Sequence, residues 1–455
     1  MKILIVGAGE TGYFIAKEFS EENVEVVLVD EKPKHLEHLQ RTLNVAGVVG
    51  NGTSLKTLEQ AGVDSCDFLI ACTDHDESNL ICCLIANQFK VPVKIAVTRT
   101  DSFLKRKIIQ RYLSSGVSQI INSSVVTAQE VIATATYSSA SAVSVFGDRK
   151  VLLVGCKIKA ASSWKGKKLF DIRSDIENQD FLIASIVRGG DSFIPTGMDE
   201  VLEGDYIYVL APKTSVPLLD EILQTKVLHN RRAVVVGSGF ISQRVVLGLL
   251  HSHYQVTVIC SDQLEFHNFK DKFSHHKDCN VVFGDPSNVK FQLRHEVATS
   301  ALFIAVTKDD MANITSALIA KYLGAAKTIA IVNREELTEP AQLMEIDVVL
   351  SPRLSTARTV KKSTQGGLSD KLNFTTISET NMEVREMVVG PGCSIAGKAL
   401  KDVALPKGCL IGAIVHTSEE VEMAKGSTVI EVNDQVIAVT TPESSLKLKE
   451  LFNAQ

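Results

Sequence analysis

The sequence predicts an α/β chain of two parallel-sheet domains, each followed by a small α+β module. Three observations carry that prediction. A glycine-rich segment closing a short apolar run occurs twice, as Lys2-Ile3-Leu4-Ile5-Val6-Gly7-Ala8-Gly9-Glu10-Thr11-Gly12 and as Arg232-Ala233-Val234-Val235-Val236-Gly237-Ser238-Gly239-Phe240-Ile241-Ser242. The offset from Gly7 to Gly237 is 230 residues in a chain of 455, so the repeat is a duplicated domain set rather than a short solenoid period. After each copy, continuous apolar runs alternate with amphipathic stretches, the pattern of a parallel sheet covered on both faces. Beyond each such stretch the texture shifts to short strands and glycine turns.

The elements of the first copy follow in order. The apolar run at 2–6 is a strand that ends at Gly7, and an amphipathic helix covers 10–21. Val26-Val27-Leu28-Val29 makes 25–29 the second strand, ending at Asp30. A helix is predicted around 33–43, a strand at 46–49, a helix near 54–61 and a buried strand at 68–72. A helix over 77–88 leads to a fifth strand at 94–97, and Ile120-Ile121 marks a sixth. Residues 124 to about 146 read as a helix whose apolar stripe (Val125, Val126, Val131, Ile132) runs out into a Ser/Ala stretch. That helix is either a connector between domains or a dimer-forming arm.

The small module begins with a strand at 151–156 and a turn into a short helix at Ser163-Trp164-Lys165-Gly166-Lys167-Lys168-Leu169. Strands at 182–188 and 191–195 flank Gly189-Gly190, a hairpin signal. Glu203-Gly204-Asp205 turns into a strand at 206–210. The module is duplicated too. Ser394-Ile395-Ala396-Gly397-Lys398-Ala399-Leu400 answers the Trp164 segment, and Val432-Asn433-Asp434-Gln435-Val436 answers the Gly204-Asp205 turn. Within the larger domains, Val48-Val49-Gly50-Asn51-Gly52-Thr53 answers Val282-Phe283-Gly284-Asp285-Pro286-Ser287, and Asn79 answers Asn313. The expected boundaries are 1–123, 124–228, 229–355 and 356–455.

Composition bounds the function. Apolar residues are 45%, ordinary for a soluble protein, and the net charge of −5 gives no electrostatic reason to expect nucleic acid or acidic lipid as main partner. The longest apolar runs, such as Leu80-Ile81-Cys82-Cys83-Leu84-Ile85-Ala86, fall short of the roughly 20 residues that span a bilayer. Met1-Lys2 leads directly into a strand, with no signal-peptide pattern, so a cytoplasmic location is expected. The nine cysteines sit mostly in apolar runs, without C-x-x-C. Cys82-Cys83 reads as buried thiols on one helix, with a redox or metal device as the alternative. The eleven histidines lack zinc-ligand spacing.

The chemistry concentrates at Gly7-x-Gly9-x-x-Gly12, after a strand and at the opening of a helix. The first glycine permits the tight turn, the second lets backbone approach a phosphate, and the third lets helix and strand pack closely. Free amides at the helix N-terminus then face the phosphates. Asp30 ends the second strand, where a carboxylate accepts hydrogen bonds from ribose hydroxyls and repels a 2′-phosphate. This is the constellation of a Rossmann-like domain and favours NAD or an adenine nucleotide over NADP. Thr73 and Asp74 end the fourth strand, at the ligand-binding edge of such sheets. Asn51, Thr53, Asp76, Asn79 and Arg99 either line the same crevice or serve as caps, turns and ion pairs. In the second copy Ser242 replaces the third glycine, and Cys260 stands at the place of Asp30 with Asp262 two residues on. Nucleotide binding there is left open.

A dehydrogenase needs a substrate domain that holds an acid or base over the nicotinamide. Here each nucleotide-type unit is followed only by a small β-rich module without a Ser/His/Asp set. His229 and His416 are the only histidines in or near the modules, at non-matching places. No catalytic or metal-ligating residues are expected.

Gly7-Ala8-Gly9-Glu10-Thr11-Gly12, Asp30, Gly50-Asn51-Gly52-Thr53, the Thr73-Asp74-His75-Asp76-Glu77-Ser78-Asn79 segment and the Gly-Lys modules at Gly166 and Gly397 together resemble the TrkA family. These are cytosolic regulatory subunits of bacterial Trk potassium uptake systems, built from tandem RCK domains, and the resemblance covers essentially the whole chain. It implies that each Rossmann-like domain is followed by an RCK C-terminal module. It implies a tetrameric gating ring, peripheral at the inner face of the cell membrane, docked on a potassium-translocating subunit of TrkH or TrkG type. It also implies that NAD(H) or ATP/ADP sets the ring's conformation. Gly7 to Thr11, Asp30, Thr73, Asp74 and Arg99 match the family's first nucleotide site, and Gly237, Ser238, Gly239, Phe240 and Ile241 match the glycine loop of its second. The alternative is a soluble nucleotide-sensing regulator of another cation channel or antiporter.

Overall fold

The computed structural model describes residues 1–20, 24–137, 140–160, 162–174, 181–216, 219, 230–365, 373–376 and 382–453. The chain divides into two compact units. One holds Met1–Ile132 with Asn230–Gly367, the other Ala133–His229 with Leu368–Gln455. The two parallel-sheet copies therefore share one unit, and the two small modules share the other.

In the first unit, β1 (Lys2–Val6), β2 (Glu25–Asp30), β3 (Ala46–Val49), β4 (Phe68–Ala71), β5 (Val93–Thr98) and β6 (Gln119–Asn122) form a six-stranded sheet in the order β3-β2-β1-β4-β5-β6. All five pairings are parallel, with Ile3 opposite both Val26 and Phe68. The strand order reverses beside β1, so the crevice that takes ligands in such sheets opens at its carboxyl end. Alternate residues of each strand enter two cores. Ile3, Ile5, Leu28, Phe68 and Ile70 pack on the helix Glu10–Ser20 through Phe14, Ile15 and Phe19. Leu4, Val6, Val29 and Leu69 pack on the helix Asp76–Gln88 through Leu80, Cys82, Cys83 and Ala86. Burial on both faces is why these strands read as unbroken apolar runs. Burial also pushes the Cys82 thiol up to about 12, and that of Cys83 upward as well, so both behave as small hydrophobes.

The helix Ser123–Thr136 ends earlier than the sequence suggests. Residues 142–146 are instead a strand, β7 (Ala142–Phe146), paired antiparallel with β8 (Val151–Lys157) in the second unit. Ala142-Val143-Ser144-Val145-Phe146 alternates with period two, a signal hidden behind the preceding Ser/Ala stretch. A helix over Arg106–Ser114 also escaped the sequence reading; none of its residues is buried, so it leaves a weak apolar imprint. The predicted end of the first helix at residue 21 lies outside the described residues, as does His229.

The second sheet of the unit repeats the first. It comprises β12 (Arg232–Val236), β13 (Gln255–Cys260), β14 (Cys279–Phe283), β15 (Leu302–Ala305), β16 (Lys327–Ile331) and β17 (Val348–Leu350), in the order β14-β13-β12-β15-β16-β17. Helices following β6 and β17 exchange between the copies. Val131 of the first is buried, and its Ile132 lies against Gly248 of the second copy's helix Phe240–His251. The helix Pro352–Gln365 packs on the first copy's helix Glu10–Ser20, with Ala357 and Val360 in the same core as Phe14 and Ile15. The apolar stripe of the predicted connector is thus taken up within the chain.

The second unit holds two five-stranded antiparallel sheets. In the first, β8, β9 (Leu182–Arg188), β10 (Asp191–Phe193) and β11 (Tyr206–Pro212) join β7 in the order β10-β9-β11-β8-β7. Arg188 pairs with Asp191 across Gly189 and Gly190, whose φ values of 62° and 93° are those of a tight hairpin turn. The second sheet runs β18-β19-β22-β20-β21 and uses β18 (Asn373–Thr376), β19 (Glu383–Val388), β20 (Cys409–Val415), β21 (Val421–Met423) and β22 (Gln435–Thr440). Among the described residues, no helix is long and apolar enough to cross a membrane.

Candidate functional site

The three glycines after β1 are required for three separate reasons. Gly7 has a φ of +108°, and a Cβ there would meet the Thr73 nitrogen at 2.9 Å. A Cβ on Gly12 would fall 1.9 Å from the Gly7 carbonyl oxygen, so helix and strand could not close up. A Cβ on Gly9 would meet nothing within 4 Å, so that side of the loop is open. The first intrahelical bond runs from the Tyr13 amide to the Gly9 carbonyl at 2.8 Å. The amides of Glu10, Thr11 and Gly12 precede it and point, by helix geometry, into the space over Gly9, which is where an anion is stabilised.

Asp30 is held at the crevice edge by backbone. Its Oδ2 accepts from the Ala8 amide at 2.7 Å and its Oδ1 from the Lys32 amide at 2.8 Å, with His35 Nδ1 3.3 Å away. Each oxygen keeps a second lone pair, so the carboxylate can still accept from hydroxyls. The carboxyl ends of the adjacent strands β2, β1, β4 and β5 bring Asp30, Gly7–Gly12, Thr73, Asp74 and Arg99 to one edge, roughly 15 Å wide at about 5 Å per strand. Arg99 pairs with Asp74 at 2.7 Å, at the surface. Asn51 Oδ1 accepts from the Thr53 amide at 2.7 Å and hydroxyl at 2.6 Å, which shapes the turn after β3.

Asp76 and Asn79 are scaffold. Buried Asn79 accepts from the Thr73 amide (2.9 Å) and hydroxyl (2.6 Å) and donates to the carbonyls of Thr73 and Val97. Asp76 accepts from the Arg99 and Thr100 amides. The second copy repeats both clamps, with Asn313 on Thr307 and Asp310 on Asn333 and Arg334. A device kept in both copies holds the βα loops in place, whatever binds between them.

The crevice of the second copy differs where ligand chemistry would act. Gly237 again has positive φ, +120°, and Gly239 again faces open space. Ser242 is buried, and its hydroxyl donates to the Gly237 carbonyl at 2.6 Å, so the third glycine is replaced by a latch. Cys260 is buried at the end of β13, its thiol pushed up to about 11 by burial, and supplies no charge. A carboxylate arrives from elsewhere: Glu265, on the helix Gln263–Phe273, accepts from the Ser238 hydroxyl. Asp262 caps that helix through the Glu265 amide at 2.8 Å.

Two contacts could not be found from the sequence. Glu265 stands at the place of His35, so carboxylate and partner have shifted along the motif. Arg353, at the start of the helix Pro352–Gln365, meets Glu10 in the first glycine loop. That pair joins residues far apart in sequence and follows only from the exchange of helices between copies.

The TrkA-N domain family matches residues 3–123 and 233–352, and the TrkA-C domain family matches 153–224 and 384–453. The Trk system potassium uptake protein TrkA of Halomonas elongata is 30% identical over 445 residues, covering 96% of this chain and 95% of that protein. The Trk system potassium uptake protein TrkA homolog of Archaeoglobus fulgidus is 29% identical over 454 residues, covering 99% and 100%. Among solved structures, the GsuK channel matches with a TM-score of 0.62 at 17% identity, covering 100% of this chain and 79% of that one. The GsuK RCK domain gives 0.60 at 17%, covering 100% and 95%, and the GsuK channel bound to NAD 0.61 at 18%, covering 100% and 79%. At that identity the likeness is one of fold.

Proposed function

The chain belongs to the TrkA family, with its TrkA-N and TrkA-C domains in tandem twice over, and on that premise we propose that it is the nucleotide-binding regulatory subunit of a Trk-type potassium uptake system. The observation that carries the reading is the intact glycine loop and its backbone-held Asp30 at the switch point of the first sheet. NAD(H) or ATP/ADP is the ligand of that crevice, with phosphates over Gly9 and a ribose at Asp30. The fold relative GsuK carries NAD in one of its structures, which favours a dinucleotide or its adenylate half. Gly237 to Ile241 form a second, altered site.

The protein acts at the inner face of the membrane through a TrkH- or TrkG-like translocating subunit, as a homo-tetrameric ring. A ligand switches such a ring only by its differential affinity for two conformations, and a few kcal/mol suffices to shift the populations. No catalytic step belongs to this role. The fold likeness to a channel's RCK domain favours a second reading, the regulator of another cation channel.

Equilibrium binding of NAD, NADH, ATP and ADP to the purified chain tests the ligand. Saturable binding lost in Gly9→Val supports the proposal, since a Cβ there meets no protein atom within 4 Å and the added side chain occupies the space of the phosphate. Failure of all four to bind overturns it. Co-purification with a Trk-type membrane subunit separates the two readings, and light scattering on the pure chain tests the ring.

A further inference from the structure

The guanidinium of Arg353 lies against the carboxylate of Glu10, in the first turn of the helix Glu10–Ser20. Its Nη1 also donates to the Asn333 carbonyl at 2.9 Å, at the carboxyl edge of the second sheet. Arg353 therefore reaches from one copy's crevice edge to the other copy's glycine loop. The helix that carries it is fixed in place. Lys361 on the same helix donates to the Glu18 carbonyl at 2.9 Å and pairs with the Glu18 carboxylate at 3.2 Å. Ala357 and Val360 are buried between these two anchor points.

A cation at a helix N-terminus stands against the helix dipole. Here it is also largely withdrawn from water: the Arg353 side chain is 27% exposed. Such an arrangement needs an anion, and Glu10 supplies one. The first copy has no counterpart to this device in the second. Ser124 occupies the matching place on the helix Ser123–Thr136. The charge is thus an addition at one crevice rather than a by-product of the duplication.

Building on the nucleotide reading above, we propose that Arg353 is a phosphate-reading residue of the first nucleotide site, contributed by the second copy, and that Glu10 is the internal anion it exchanges for a ligand phosphate. A phosphate over Gly9 brings more charge than one carboxylate and presents several oxygens to the planar guanidinium, which it engages bidentately. Glu10 and the phosphate repel each other, so only one of them holds Arg353. The ligand class follows. A nucleotide with a free terminal phosphate, ATP or ADP, offers the higher charge and the open oxygens. In NAD both phosphates are esterified on either side, each with a single charge, so NAD draws Arg353 less. Phosphate charge on the ligand is in this way read into the packing between the two copies.

The test is calorimetric titration of the full chain with ATP, ADP and NAD, in wild type, Arg353→Met and Glu10→Gln. Arg353→Met keeps the aliphatic stem and is expected to weaken ATP and ADP about 10- to 100-fold, the range of a lost charge-assisted pair, with a smaller loss for NAD. Glu10→Gln leaves Arg353 in place and removes its competitor, so ATP and ADP should bind several-fold tighter. Arg353→Met losing all three ligands equally, or Glu10→Gln failing to tighten ATP, overturns the inference. If wild type binds none of the three, the nucleotide reading itself fails. If wild type binds them and neither variant changes the affinities, only the role of Arg353 fails.

Discussion

Replacing Asp30 by alanine removes two contributions that separate assays can tell apart. The first is structural. Its carboxylate, 14% exposed, satisfies the amides of Ala8 and Lys32 at 2.7 and 2.8 Å. Stranding two partly buried amides costs about 2 kcal/mol in all, at ~1–3 kcal/mol for each group left unpaired and less where water replaces the carboxylate. Thermal melting should fall by a few degrees. The second contribution is selectivity. A carboxylate about 4 Å from a 2′-phosphate repels it by ~1 kcal/mol in a water-like medium and ~4 kcal/mol at an effective dielectric of 20. Asp30 lies between those limits, so wild type should prefer NAD over NADP by at least about 5-fold. Asp30→Ala should weaken NAD, through lost ribose hydrogen bonds, and narrow the gap to NADP. Asp30→Asn keeps one acceptor oxygen and should recover part of the stability without the charge discrimination. Calorimetric titration of each variant with both cofactors is the assay. The reasoning is refuted if wild type binds NADP as tightly as NAD, or if Asp30→Ala lowers the melting temperature and leaves the NAD-to-NADP ratio at its wild-type value.

Two further outcomes follow from the geometry. Gly12→Ala puts a Cβ 1.9 Å from the Gly7 oxygen and should destabilise the fold by ~1–3 kcal/mol, whereas Gly9→Ala should melt like wild type and bind nucleotide more weakly; equal melting of the two variants would contradict the steric assignment. Partial burial of His416 opposes its protonation, but hydrogen bonds and charges from Glu422 and Asp434 outweigh that and raise its pKa above 6.5. A folded pKa above the unfolded one makes this stabilisation complete below about pH 6.5 and loses it as pH rises through the raised value. The melting advantage of wild type over His416→Gln should therefore shrink between pH 6 and 8.5, and an advantage constant across that range would count against the pair.

Much of the parallel-sheet copies was legible because their strands are buried on both faces. Ile3 to Val6 and Phe68 to Ala71 have no polar position to interrupt the run. The glycine triplet was legible because Gly7 and Gly12 answer contacts that no side chain could make, and Gly9 leaves the space between them open. What the sequence hid was long-range. Nothing near Asn79 in the chain announces its bond to the Val97 carbonyl, so a buried clamp and a ligand contact read alike. The strand Ala142–Phe146 was lost for a local reason, since small residues before it carry no periodicity. Ser242 read only as a replacement of the third glycine, and the sequence did not show that its hydroxyl satisfies a buried carbonyl so that the loop keeps its shape.

The departures of the second copy have a common direction. Where the first copy has Asp30 and His35, the second has Cys260 and Glu265. Where the first has Asp74 and Arg99, the second has Lys308 and Asn333. Both clamps that shape the loops persist, as Asn79 and Asn313 or Asp76 and Asp310. Keeping the clamps while changing the charges at these four places separates two demands, one for a folded βα loop and one for what the crevice faces. Were the second copy only a structural support, its glycine loop could have filled with side chains, and Gly239 still faces open space. Were it a second equivalent site, the ribose carboxylate would have stayed on the strand. The two copies thus present crevices of unlike charge that share a boundary. Arg353 lies on that boundary, tied to Asn333 on one side and Glu10 on the other. On the role proposed for Arg353, a phosphate that draws it into the first crevice would act on a backbone carbonyl at the edge of the second. Such coupling would be reciprocal: a ligand bound against Asn333 would change phosphate affinity at Gly9 by the same factor by which the phosphate changes that ligand's affinity.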